Sequence, residues 1–235
     1  MSRFSRHDWS RAQTRYGMVI LLILATYGLS VASLGQRWAA AVLFVQMLTV
    51  WVVFTASESR RAQRVAGYAL VAVGALSVIG FLVGTLSELP VWFYQVILAF
   101  SVLLYFVAPL VVGRHLFRRQ VIDLQTLLGA ISAYLLVGMM FGFAYRLVGS
   151  LQTEPFFGVQ GHGTLAEDLF FSFTTLTTTG YGNLVPASNP GQSMAIFEAI
   201  LGQLILVTAV AKIVTDWKPA PRPRPSGSTV PEEEQ

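Results

Sequence analysis

The residues best suited to chemistry lie in one short stretch, residues 178–182, which reads Thr-Thr-Gly-Tyr-Gly. Its two glycines permit left-handed or extended backbone torsions that a Cβ would oppose. With such torsions, successive carbonyls can point to one axis and replace the water around a dehydrated cation. We expect four carbonyls to coordinate the cation, those of Thr178, Thr179, Gly180 and Tyr181. The backbone itself would then be the functional element, and the Thr178 hydroxyl can add a further oxygen.

A short helix is expected to lead into this stretch. Thr164, followed three residues later by Glu167, forms a capping box, which marks the start of a helix. Apolar residues then recur at helical spacing to about residue 177, and Gly180 and Gly182 stop the helix. The negative end of the helix dipole would point at residues 178–182 and favour a cation there.

Long uncharged segments surround this region and have the length of membrane-spanning helices. Of the 235 residues, 54% are hydrophobic and only 12% are charged, whereas soluble domains carry about 25% charged residues. A bilayer core requires roughly 20 apolar helical residues. We therefore predict an all-α membrane protein with six transmembrane helices and a re-entrant helix and loop, 164–186, between the last two. The six spans are 16–34, 38–56, 65–86, 91–112, 124–147 and 193–214.

The distribution of Lys and Arg predicts the orientation. With both termini in the cytoplasm, 16 Lys and Arg residues all fall on the inner side except Arg37 and Arg146, as the positive-inside rule requires. The basic charge is therefore a signal of topology in a plasma-membrane protein and does not indicate a nucleic-acid partner. The inner basic loops are expected to meet anionic lipid headgroups.

Several functional classes find no support in the residue pattern. The chain has no cysteine, and it lacks a phosphate-binding loop, a set of metal ligands and a nucleophile–base pair. We therefore expect no enzyme activity and no cofactor. A voltage sensor needs several Arg within one span, but the fourth span, 91–112, contains no charged residue, so we expect a scaffold without a sensor.

The stretch 178–182 resembles the selectivity filter of potassium channels. The resemblance extends to the aromatic pair Phe170-Phe171, the Thr-x-x-Thr-Thr run within 174–179, and Asn183 and Pro186 in the same order. It covers about 124–216. Two positions depart from the family pattern, because Thr179 stands for the usual Val or Ile and Asn183 for the common Asp.

The resemblance implies a passive, potassium-selective channel in which residues 178–182, hereafter the filter segment, coordinate K⁺ as the permeant ion. One filter segment is not a ring, so the resemblance also implies a homotetramer. Gly202 occupies the position of a hinge in the inner helix. The residues expected to support the filter segment are Thr174, Thr175, Thr177, Asn183 and Glu198.

The uncharged gaps, the Pro-rich tail and this resemblance together predict a division of the chain. It consists of a cytoplasmic N-terminus at 1–15, a four-helix transmembrane scaffold at 16–112, a basic cytoplasmic linker at 113–123, a pore domain at 124–216, and a disordered, Pro-rich cytoplasmic tail at 217–235. Two other functions stay open. A potassium uptake transporter usually repeats the pore within one chain, and a weakly selective cation channel usually loses Tyr181 or the second glycine.

Glu198 is the one acid deep within a predicted span, and such residues are candidates for function. If it faces the short helix, it can bond the hydroxyl of Thr174 or Thr175 and hold the filter segment from behind. The alternative is a neutral or snorkelling glutamate near the outer interface.

Overall fold

The computed structural model describes residues 6–32, 39–55, 67–68, 71, 74–75, 91–118 and 124–216. All regular structure in these residues is helical. The helices are α1 (Arg6–Val31), α2 (Ala39–Thr55), α3 (Val91–Arg118), α4 (Leu124–Leu151), α5 (Leu165–Leu176) and α6 (Asn189–Asp216), with a 3₁₀ turn at Gly158–Gln160. The predicted all-α class is confirmed for the described residues.

Three of these helices contain segments long and apolar enough to cross a membrane. They are Tyr94–Arg114 in α3, Thr126–Leu151 in α4 and Asn189–Lys212 in α6, and α1 adds a shorter apolar segment, Tyr16–Val31. These lengths match the hydrocarbon thickness of a bilayer. Most of the predicted third span, 65–86, and the whole tail, 217–235, lie outside the described residues.

The helix ends differ from the predicted spans where polar residues also favour helix. α1 begins at Arg6, ten residues before the predicted span, because Arg, Gln and Ala are good helix formers. α3 continues to Arg118, so the first half of the predicted linker 113–123 is helical. α6 begins at Asn189 rather than at 193, with Pro190 in its first turn, a position that tolerates the missing N–H of proline.

α5 is the short helix that the capping box predicts, and it packs against α4, α6 and α1. Two glycines of α4 allow the close approach. A Cβ added at Gly138 would lie 2.6 Å from the ring of Phe173, and one added at Gly142 would lie 2.5 Å from the Leu169 side chain. α4 therefore forms the wall against which α5 is positioned.

A second wall comes from the chain that precedes α5. Phe156 and Phe157 are buried in the core, and their rings meet edge to face. Phe157 also contacts Phe171 of α5 edge to face, and the carbonyl of Phe156 accepts a hydrogen bond from the N–H of Ala187. This core joins the segment before α5 to the segment after the filter segment.

Candidate functional site

The start of α5 has the predicted capping box. Thr164 Oγ1 accepts a hydrogen bond from the N–H of Glu167, and a Glu167 carboxylate oxygen accepts one from the N–H of Thr164 at 2.6 Å. α5 ends at Leu176 with Thr177 as its C-cap, one residue before the predicted end. The helix therefore delivers its C-terminal turn directly to the filter segment.

The backbone of the filter segment alternates in the sign of φ. Thr178, Gly180 and Gly182 have positive φ values of 56°, 55° and 77°, and Thr178 is the single non-glycine residue with positive φ in the described part of the chain. In an ordinary strand successive carbonyls point to opposite sides, whereas alternating left- and right-handed torsions turn successive peptide groups to the same side. The glycines are needed because a left-handed torsion is unfavourable with a Cβ.

Three N–H groups of the filter segment bond back to α5, and the carbonyls of the segment stay free. The N–H of Thr178 donates to the Thr175 carbonyl at 2.9 Å, and the N–H groups of Thr179 and Gly180 share the Thr174 carbonyl at 2.8 and 3.2 Å. Among the described residues, no hydrogen-bond donor reaches the carbonyls of 178–182, and these residues are exposed. One side of the strand is fixed, and the other presents unpaired oxygens.

Threonine hydroxyls and one aromatic stack hold the rest of the segment. Thr177 Oγ1 donates to the Phe173 carbonyl at 2.7 Å and lies 2.8 Å from Thr179 Oγ1. The Tyr181 ring stacks on Phe170 with a centroid distance of 5.8 Å and an interplanar angle of 16°. The Thr179 hydroxyl thus contacts Thr177, and the Tyr181 ring contacts Phe170 of α5.

Glu198 faces α5, but it does not bond Thr174 or Thr175, so the predicted partners are wrong. Its carboxylate accepts hydrogen bonds from Ser172 Oγ and from the Tyr145 hydroxyl, both at 2.6 Å. The Thr174 hydroxyl instead donates to a carbonyl of its own helix, that of Phe171, an alternative open to any helical threonine.

The Glu198 carboxyl therefore joins three helices at one buried point. Tyr145, Ser172 and Glu198 are all fully buried, and they come from α4, α5 and α6. Ser172 Oγ also lies 2.7 Å from the Gly138 carbonyl of α4. We call these three side chains the buried strut. A lone buried carboxyl is costly unless it is hydrogen-bonded, and the strut supplies those bonds.

Two further polar contacts to the filter region were missed by the sequence analysis. The Tyr134 hydroxyl of α4 donates to the Leu176 carbonyl at 3.0 Å, and Gln203 Nε2 of α6 donates to Thr178 Oγ1 at 3.1 Å. Gln203 was detectable as an amide within a predicted span, because a polar side chain at membrane depth needs a hydrogen-bond partner. Tyr134 carries no such signal, since tyrosine is also enriched in membrane proteins as an interfacial anchor.

Gly202, the predicted hinge, packs against the end of α5. A Cβ added there would lie 2.5 Å from the Leu176 carbonyl oxygen, so a larger residue would push α6 away from the helix that carries the filter segment. This close approach requires glycine whether or not α6 bends here. The hinge stays a prediction.

At the outer end of α4, Arg146 joins three separate segments. Its guanidinium donates to the Gly163 carbonyl at 2.6 Å and to the Tyr94 hydroxyl at 3.2 Å, and it lies 3.6 Å from a carboxylate oxygen of Asp168. Asp168 is buried, and burial raises its pKa to about 8 although Arg146 opposes the shift. We call Arg146 and Asp168 the outer pair.

Asn183, predicted to support the filter segment, is exposed and makes no hydrogen bond with the described residues. The chain beyond it is secured elsewhere. The Pro186 carbonyl accepts a hydrogen bond from Gln192 Nε2 at 3.0 Å, and Gln152 Nε2 donates to Ser188 Oγ at 3.2 Å. The return from the filter segment to α6 is therefore fixed by the start of α6 and the end of α4.

Comparison with known proteins finds similarity in the same region. Residues 130–216 match the family described as ion channel. Over 53 residues the chain is 43% identical to potassium channel subfamily K member 1 of Oryctolagus cuniculus. This match covers 21% of this chain and 16% of the relative. Over 110 residues it is 34% identical to potassium channel subfamily K member 7 of Mus musculus. That match covers 42% of this chain and 35% of the relative.

The chain therefore spans about a sixth to a third of the length of these relatives. The matched region contains most of α4, all of α5, the filter segment and α6. Helices of membrane length occur on both sides of the filter segment. The chain is a membrane protein, and its residues 130–216 are similar to the ion-channel family and, in part, to potassium channels.

Proposed function

We propose that the chain is a subunit of a homotetrameric, potassium-selective channel that conducts K⁺ passively through the filter segment. The observation that carries the proposal is the alternating φ of Thr178, Gly180 and Gly182, with the carbonyls of 178–182 unpaired and exposed. Rings of such carbonyls can replace the hydration shell of K⁺. K⁺ and Rb⁺ should therefore pass, and Na⁺, which is smaller and more strongly hydrated, should not.

The tetramer is supported by the apolar side chains and the unpaired carbonyls that one chain leaves exposed. α6 exposes a row of large apolar side chains, with 63% of Ile196, 61% of Phe197 and 61% of Leu204 accessible. One chain also supplies one strand of carbonyls, whereas a ring needs about four. Purified protein should have four times the mass of the 25.7 kDa chain after correction for detergent.

The membrane arrangement belongs to the same proposal. We place the protein in the plasma membrane, with six spans and both termini in the cytoplasm. α5 and the filter segment then form a re-entrant element that enters from the outer side. Irregular backbone at membrane depth is tolerated where it is buried in protein or lines water. The three bonded N–H groups and the free carbonyls of the filter segment suit such a position.

The test is an ion-flux measurement on the full chain reconstituted into liposomes loaded with K⁺. A bi-ionic reversal potential that strongly favours K⁺ over Na⁺, with Rb⁺ close to K⁺, supports the proposal. A matched control is Gly182→Val, which should insert and assemble but not conduct. A reversal potential near zero for K⁺ against Na⁺ would instead identify a weakly selective cation channel.

A further inference from the structure

The Thr178 hydroxyl is held in a different way from the hydroxyls of Thr174 and Thr177. Those two hydroxyls donate to carbonyls of α5, as threonines in helices commonly do. Thr178 Oγ1 instead accepts a hydrogen bond from Gln203 Nε2 of α6 at 3.1 Å, and it has no other hydrogen-bond partner among the described residues. The amide of Gln203 is therefore the group that fixes this hydroxyl.

Gln203 reaches Thr178 because α6 packs tightly on α5 at the preceding residue. A Cβ added at Gly202 would lie 2.5 Å from the Leu176 carbonyl oxygen, so the backbone of α6 lies directly against the end of α5. Gln203 is about 21 Å along α6 from its start at Asn189, at 1.5 Å per residue. In the proposed arrangement, in which α5 enters from the outer side, this contact lies at the inner end of the filter segment.

The contact leaves the Thr178 oxygen able to bind a cation. A threonine hydroxyl has one proton to donate and two lone pairs with which to accept. The amide N–H of Gln203 occupies one lone pair of Thr178 Oγ1 and favours one rotamer of the side chain, and the second lone pair stays free. The Thr178 carbonyl is unpaired as well, and the residue is exposed. One residue thus offers a cation two oxygens, one from the backbone and one from the side chain.

We propose that Gln203 is a positioning residue for potassium selectivity, which orients the Thr178 hydroxyl so that four copies add an inner ring of oxygens to the filter segment. We call this the hydroxyl ring. The inference rests on the proposed homotetrameric channel. Where the hydroxyls turn away, water completes the shell of the innermost cation. Selectivity for K⁺ depends on the number and field strength of the protein oxygens, so loss of the hydroxyl ring should weaken it.

The experiment measures block of K⁺ current by Ba²⁺ added to the cytoplasmic side of excised membrane patches that contain the full chain. Ba²⁺ is close to K⁺ in size and carries twice its charge, so oxygen rings that fit K⁺ hold it more tightly. From this side it meets the hydroxyl ring first. Gln203→Met removes the amide and keeps the length of the side chain. It should weaken block at least about fivefold and lower the K⁺/Na⁺ permeability ratio, while the open time without Ba²⁺ stays that of wild type.

Three further variants test whether the hydrogen bond itself is the cause. Gln203→Asn keeps an amide but is one methylene too short to reach, so it should behave like Gln203→Met. The matched control Val207→Met places the same side chain one turn further along α6, at a position 63% exposed, and should be blocked like wild type. Thr178→Val removes the hydroxyl and should weaken block as much as Gln203→Met. Block of the double variant should be no weaker, because both side chains act through one contact.

Wild-type block in Gln203→Met overturns the inference, and so does wild-type block in Gln203→Asn, which would make the polarity of the pore wall the cause. A shortened open time with unchanged Ba²⁺ affinity would make the contact structural and overturn it too. These two variants decide the question even where Thr178→Val does not assemble. Wild-type patches that pass no K⁺ current overturn the proposed function together with this inference. K⁺-selective current with block independent of Gln203 overturns this inference alone.

Discussion

Replacing Glu198 tests whether the buried strut holds the filter segment in its conducting form. Glu198→Gln should conduct nearly as wild type. Its amide oxygen can accept the hydrogen bond of the Tyr145 hydroxyl, and its amide N–H can donate to Ser172 Oγ, which then donates to Gly138. Glu198→Ala removes both contacts at a point where all three side chains are fully buried.

The size of the expected effect follows from the unpaired hydroxyl and the void that Glu198→Ala leaves. Tyr145 loses its acceptor, and an unpaired buried hydroxyl costs about 1–3 kcal/mol. A residual void of about 40 Å³ adds about 1 kcal/mol. The sum is about 2–4 kcal/mol per chain, or roughly 30- to 700-fold in an equilibrium between an ordered and a collapsed filter segment.

The assay compares the K⁺/Na⁺ permeability ratio and the open time of the two variants side by side in planar bilayers. The alanine variant should lose about thirtyfold or more in one of them, the lower end of the range that the lost contacts allow. Tyr145→Phe completes a double-mutant cycle, because partners that act through one contact are not additive. If Glu198→Ala conducts and selects like wild type, the strut does not support the filter segment.

Three other outcomes are expected. Gly182→Val should abolish flux because φ is +77° there, whereas Gly161→Val, at φ +87° outside the filter segment, should conduct; flux through both variants would contradict the carbonyl ring. Open probability should vary shallowly with voltage, since α3 has no charge before Arg114 and one gating charge contributes about 2.3 kcal/mol per 100 mV; a steep curve in planar bilayers would reveal a sensor elsewhere. Burial raises the pKa of Asp168 from 3.8 to about 8, with Arg146 lowering it and Glu167 raising it. The protonated carboxyl of Asp168 therefore stabilises the fold fully below about pH 4. That stability is lost as the pH rises to about 8. The thermal midpoint should fall across this window in wild type and less in Asp168→Asn, and parallel curves would show that Asp168 does not titrate there.

The sequence predicted those features that depend on neighbours along the chain. The capping box at Thr164 and Glu167 located the start of α5, and the glycines of the filter segment located its end. Each signal acts over three or four residues, so no knowledge of the tertiary fold is needed. The apolar stretches located α3, α4 and α6 in the same way, because the length of a span is set by the bilayer.

The partners of Glu198 could not be predicted, because they depend on how α5 is rotated against α4 and α6. That rotation is fixed by the rings and side chains that meet Gly138 and Gly142. It turns Ser172 rather than Thr174 towards α6. The bond between Tyr145 and Glu198 joins residues 53 positions apart, and sequence spacing contains no information on such a pair.

The free carbonyls of the filter segment have a genetic consequence. In the proposed tetramer, four filter segments together form each ring of carbonyls. One defective subunit should therefore disable a pore that contains three normal subunits. If a non-conducting variant is expressed in equal amount with wild type and the two mix at random, about one tetramer in sixteen is fully wild type. Variants of the filter segment should therefore be dominant, whereas variants that prevent insertion should be recessive.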